Sequence, residues 1–151
     1  MTDVRLVPMT EDQYQPWRTE DEAHFTQSLT ASGQSPQEAA DNAADTYKDL
    51  LPQGFATPDN HFWYAFDGTR RVGFLWIKVT RGTAFIYNIA VEPDVRRRGY
   101  GRAIMLAAED WCRDNGVTRI GLHVFAHNTG ARALYEQLGF VETGRRMAKD
   151  L

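Results

Sequence analysis

The chain has 151 residues, 42% hydrophobic and 25% charged, which suits one folded domain and excludes a low-complexity or disordered chain. A net charge of −3 and a pI near 5.8 argue against a nucleic-acid-binding domain. No apolar run approaches the ~20 residues of a membrane helix, the amino terminus lacks a signal-peptide pattern, and the lone Cys112 excludes an internal disulfide and suits a reducing cytoplasm.

In chain order, "VRLVPM" at 4–9 reads as a short strand. Residues 11–31 are polar and helical in tendency, with Tyr14, Trp17, Phe25 and Leu29 as apolar anchors. A second helix starts at Ser35, with Pro36 at the first helical position and Glu38 closing a capping box; Pro52 and Gly54 end it. Three runs rich in aromatic and β-branched residues follow at 61–66, 71–79 and 83–91, separated by short turns, and read as an antiparallel meander. After Pro93 the period changes: Ile104, Ala107, Ala108 and Trp111 share one helical face, with Gly116 as its cap. A strand is expected over 117–125 and a helix capped by Asn128, with Ala131, Leu134, Tyr135 and Leu138 on one face and Gly139 at its end. The last residues, "FVETGRRMAKDL", supply one or two final strands. The expected class is α/β, a mixed sheet with helices on its faces, in the order β-α-α-β-β-β-α-β-α-β.

"EPDVRRRGYGRAIML" (92–106) places four arginines around two glycines directly before a helix. The first N–H groups of a helix have no intrahelical partner and carry the positive end of its dipole. Glycines let backbone approach an anion closely, so a pyrophosphate placed there meets several donors. Arginines add charge-assisted hydrogen bonds to outer phosphates. The segment lacks the Gly-Lys-Ser/Thr of a Walker loop and the third glycine of a dinucleotide fingerprint. A solvated loop and a nucleic-acid patch are the competing readings, and the acidic pI disfavours the second.

"VEPDVRRRGYGRA" resembles the acetyl-CoA loop of the GCN5-related N-acetyltransferase superfamily, with Arg96, Gly99 and Gly101 at the pattern's fixed positions. The preceding "IAVEP" and the downstream "NTGARALYEQLGF" are similar to family blocks as well, over residues 72–147. The resemblance implies the acyl-CoA N-acyltransferase fold in a single domain over 1–151, with acetyl-CoA bound by about 72–147 and the acceptor walled by helices at about 10–52. It implies that the backbone of Ile89, Ala90 and Val91 pairs with the pantetheine arm. It implies too that amides from Arg97 through Arg98, Gly99, Tyr100 and Gly101 to Arg102 hold the pyrophosphate, with one or more of Arg96, Arg97, Arg98 and Arg102 on the outer phosphate. Each arginine has a solvent-facing alternative. Asn128 would contact the pantetheine arm, or serve as a plain helix cap. Tyr135 would protonate the departing thiolate, since a phenol near ~10 suits a thiol near ~8.5; its alternative is a core aromatic.

The chain departs from the family where a carboxylate often stands on the strand before the loop. "YNIAV" offers none, and Glu92 beside Pro93 is not nominated. The same region is similar to bacterial enzymes that acetylate the N-terminal alanine of a ribosomal protein, whose proposed base is a Glu in a Leu-Glu-Val setting. Here the setting is Leu122-His123-Val124, so His123 becomes the candidate base, or a structural histidine. Without a base, α-amines near ~7.7–8 are the favoured acceptors, because roughly a tenth is neutral at pH 7. Residues 1–60 hold 11 acidic and 3 basic residues, so the expected acceptor is a cationic amine. Cys112 lies in a helix beside Trp111 with no histidine at useful spacing, which argues against covalent transfer. No nucleic-acid or membrane partner is expected, and the chain is expected to be a monomer or homodimer. The alternative function is a non-catalytic acyl-CoA sensor.

Overall fold

The structure, a computed structural model, describes residues 3–151. Strands β1 (Arg5–Pro8), β2 (Asn60–Asp67), β3 (Arg70–Thr80), β4 (Thr83–Val91) and β5 (Arg119–Leu122) form one sheet in that spatial order. The first four are antiparallel, and β5 runs parallel to β4. Helices α1 (Glu11–Ala31) and α2 (Pro36–Leu50) join β1 to β2, α3 (Tyr100–Asp114) crosses from β4 to β5, and α4 (Thr129–Gln137) follows β5. This is the mixed α/β architecture expected, with differences at three places.

The complete capping box lies on α1, where the Thr10 hydroxyl accepts the Gln13 N–H and Gln13 Oε1 accepts the Thr10 N–H. At α2 only half of the expected box forms: Ser35 Oγ accepts the Glu38 N–H at 3.2 Å. The strand expected over 117–125 is confined to Arg119–Leu122. The final strands do not form: residues 140–151 carry no regular structure, so the order ends β-α. The pattern explains this. Phe140 packs on the core, but after it Val141 and Met147 stay 80% and 85% exposed, and the polar "ETGRR" between them offers no alternating apolar face.

Strand alternation divides the core in two. Trp63, Ala65, Leu75, Ile77, Ala84 and Ile86 point to the face covered by Ile104, Met105, Ala108 and Cys112 of α3, with Tyr135 and Leu138 of α4 packed at its margin. Phe62, Tyr64 and Trp76 point the other way, onto Tyr14 and Trp17 of α1 and Tyr47 of α2. The second face is largely aromatic: Trp17 meets Trp76 edge-on at 5.7 Å and Tyr14 meets Phe62 at 4.9 Å.

Candidate functional site

A break in strand periodicity makes the opening. Trp76 pairs with Asn88 but its neighbour Ile77 pairs with Ile86, so Tyr87 is an extra residue in β4. As a result Ile86 and Ile89, three apart, both pack against the α3-side core. The β4–β5 ladder runs only from Thr83↔Arg119 to Ile86↔Leu122. Beyond it the two chains part, leaving the outer edge of Ile89–Val91 along a cavity of about 510 Å³. Asn128, Gly130, Ala131 and Leu134 form the opposite wall, and Arg96, Arg97 and Gly99–Gly101 its end.

The loop before α3 is shaped for an anion. Arg97 at φ 66° and Gly99 at φ 83° are both left-handed, a succession that turns backbone N–H groups into a concave nest. A Cβ at Gly101 would lie 3.4 Å from Leu134 and 3.8 Å from Val91, so the first turn of α3 sits close against both walls. Ion pairs Arg70–Asp94 (2.7 Å) and Arg71–Glu92 (3.3 Å) tie the loop to the start of β3. Glu92, not nominated from the sequence, is held in this ion pair. Tyr100 Oη donates to Asp67 at 2.6 Å, so its side chain is committed to the β2–β3 turn and only its backbone faces the nest. Arg96 donates to the Val91 carbonyl at 3.2 Å, bracing the strand end; Arg97 and Arg98 are exposed on the same loop, and Arg102 is exposed in the first turn of α3. Main-chain donors, glycines and guanidinium groups converging here fit a pyrophosphate-bearing co-substrate.

The cavity thus gathers Ile89, Ala90, Val91, Arg96, Arg97, Gly99, Tyr100, Gly101 and Asn128, while Arg98, Arg102, His123 and Tyr135 are not among its walls. Asn128 stands at the start of α4, its carbonyl accepting the Arg132 N–H, but its side chain makes no capping bond, contrary to the expectation of a side-chain cap. Tyr135 is half-buried, edge-on to Phe140 at 5.7 Å, and burial raises its phenol pKa. Its hydroxyl bonds no other protein group among the described residues. His123 is not on a strand: it is the first residue past β5, exposed, with its ring edge-on to Phe125 at 5.1 Å.

One carboxylate does approach β4, but from a helix. Asp21 of α1, 2% exposed, accepts from Tyr47 Oη through one oxygen and from Asn88 Nδ2 through the other, both at 2.5 Å. Asn88 Oδ1 in turn accepts the Ile89 N–H at 2.8 Å. Only one amide orientation satisfies both neighbours, because a carboxylate can only accept and an N–H only donate. Burial pushes the Asp21 carboxyl up to about 6, against the pull of its two hydrogen bonds. Sequence reasoning missed this residue. The signal was there: Asp21 continues the inward stripe Tyr14, Trp17, Phe25 at helical spacing, a charge where an apolar residue belongs.

The fold and this cavity define an acyl-CoA N-acyltransferase. Residues 10–140 match the acetyltransferase (GNAT) family, and the chain belongs to it. An uncharacterised N-acetyltransferase of Bacillus subtilis, YycN, is 34% identical over 98% of this chain and 99% of its own. The crystal structure of YycN superposes with a TM-score of 0.92, covering 98% of each chain. The alanine N-acetyltransferase of ribosomal protein bS18 from Salmonella typhimurium is 42% identical over 48% of this chain and 49% of its own. Its Escherichia coli counterpart superposes at a TM-score of 0.61 with 26% identity, over 93% of this chain and 79% of that one. The chain is an N-acetyltransferase that moves an acetyl group from acetyl-CoA to an amine; a binding-only sensor is not supported. Among the described residues no helix is long and apolar enough to cross a membrane.

Proposed function

We propose that the chain acetylates a cationic amine by direct attack within a ternary complex, as one domain. The single observation that carries this reading is the parting of β4 and β5 at the Tyr87 bulge. It opens between the two cores, with Tyr135 on the α3 side and Asp21 on the α1–α2 side. Bound acetyl-CoA supplies a thioester-activated acetyl group. The exposed edge of Ile89–Val91 and the side chain of Asn128 hold the pantetheine arm. The nest from Arg97 to Arg102 takes the pyrophosphate, helped by Arg96 and its neighbours. Tyr135 gives its proton to the leaving thiolate; its half-buried phenol, with a raised pKa, stays protonated at neutral pH, as an acid must. His123, exposed where the chain leaves β5, accepts the acceptor's proton through water.

The acidic α1–α2 segment supports a cationic acceptor. The relatives acting on a ribosomal-protein α-amine support a peptide or small-molecule amine of low pKa. The test is Tyr135→Phe. It should lower kcat about a hundred-fold, the scale of one positioned acid, with little change in acetyl-CoA KM or melting temperature. A fall in kcat of less than about three-fold would remove Tyr135 from the chemistry.

A further inference from the structure

Asp21 has no use in the scheme above. It is a buried carboxylate without a cationic side chain in hydrogen-bond contact: its partners are the Tyr47 phenol of α2 and the Asn88 amide of β4. The charged groups near enough to matter lie on its own helix, His24 favouring the anion and Glu20 opposing it. Arg18 and Glu22 act on Tyr47 rather than on Asp21. A buried anion is costly unless something cationic offsets it. Two neutral hydrogen bonds alone need no charge, since an asparagine would make both.

Its position says where the cation goes. Asn88, paired with Trp76, immediately follows the Tyr87 bulge and directly precedes the open edge of β4. One turn on from Asp21, Phe25 meets Tyr47 at 5.9 Å and reaches across to Phe125 at 6.1 Å, beside His123. Asp21 therefore lies behind the α1–α2 side of the opening between β4 and β5. We propose that Asp21 is a specificity-determining residue whose negative charge, acting through Asn88 and Tyr47, selects acceptors that arrive as cations. The inference rests on the proposed cationic-amine acceptor and names the residue that sets that preference. Asp21 does not touch the acceptor. Its field also holds the proton on the nitrogen, so the gain belongs to acceptor binding and not to kcat.

Asp21→Asn separates charge from structure. The introduced amide can accept from Asn88 and donate to Tyr47, keeping both bonds. Acceptor KM is measured for a primary alkylamine, cationic at about pH 7.5, and for hydroxylamine, neutral at that pH. The substitution should raise the alkylamine KM about ten-fold relative to that of hydroxylamine, with kcat for the alkylamine unchanged or higher. An unchanged KM ratio overturns the inference while leaving the cationic-acceptor reading intact. Wild-type enzyme that turns over hydroxylamine but prefers no cationic amine defeats that reading, and the inference with it. Should the variant not fold, wild-type alkylamine KM is followed from about pH 7.5 to about pH 5, with His24→Asn and His123→Asn as controls. A rise of about ten-fold in all three proteins supports the inference; a flat KM, or a rise lost in either histidine variant, overturns it.

Discussion

Replacing Asp21 by asparagine should make the protein more stable at neutral pH. The carboxyl titrates near 6 in the fold against an ordinary 3.8. Each pKa unit is about 1.4 kcal/mol, so the ionised group costs about 3 kcal/mol of folding free energy. A raised carboxyl pKa means the native state binds the proton more tightly than the unfolded chain. Its contribution is fully present below pH ~4 and is lost as pH rises through ~6. Asparagine keeps the bonds to Tyr47 and Asn88 and removes the charge, at some cost for burying an amide. A gain of about 2 kcal/mol at about pH 7.5 is expected, or roughly 4–8 °C in Tm for a chain of this length. Urea unfolding at about pH 7.5 and about pH 4 tests it, with the gain shrinking towards zero at the lower pH. Equal stability of the two proteins at the higher pH, or an undiminished gain at the lower, would refute the argument that Asp21 is a buried, poorly compensated anion.

Two further substitutions or probes bear on the donor half. Gly73→Ala would drive a Cβ into the Ala90 carbonyl oxygen and to 2.9 Å from Ile104, forcing β3 away from the strand that lines the cavity. It should cost about 2–3 kcal/mol by urea unfolding and weaken CoA binding by calorimetry; unchanged values in both would mean the ladder yields without moving Ala90. Cys112 is 2% exposed, and burial raises its thiol pKa. Native protein should react with no thiol reagent while the guanidinium-unfolded chain reacts once; acetyl-CoA-protected inactivation of the native enzyme would contradict direct transfer.

The shape of the loop before α3 was legible because it is a property of backbone. A nest of N–H groups needs left-handed residues and an absent Cβ, so its chemistry surfaces in the sequence as glycine spacing at Gly99 and Gly101. The bulge was legible in principle too: in "TAFIYNIAV" the inward residues run Ala84, Ile86, then Ile89, Val91, a slip of one in a period of two. What the sequence could not reveal was pairing across elements. Asn88 and Asp21 lie 67 positions apart, and neither carries a motif. The expected strand through His123 failed for a related reason. "LHVF" reads as strand by propensity, but beyond Leu122 no partner remains on β4, whose edge has turned away at Tyr87. The final strands failed for lack of a second inward apolar residue after Phe140.

The two halves of the site are therefore written differently, and the difference has a functional consequence. In the proposed scheme the donor never changes, so main-chain geometry is enough to hold it; the loop itself is braced by Arg70–Asp94, Arg71–Glu92 and Tyr100–Asp67. In that scheme the acceptor side depends on individual side chains on α1 and α2, which Trp17 and Tyr47 lay on an aromatic core. A single inward position there, Asp21, carries a charge into contact with β4 through Asn88, next to the Tyr87 bulge. On the proposed scheme, acceptor choice shifts by substitution on one helix stripe while the loop and β4 keep the acetyl donor in place.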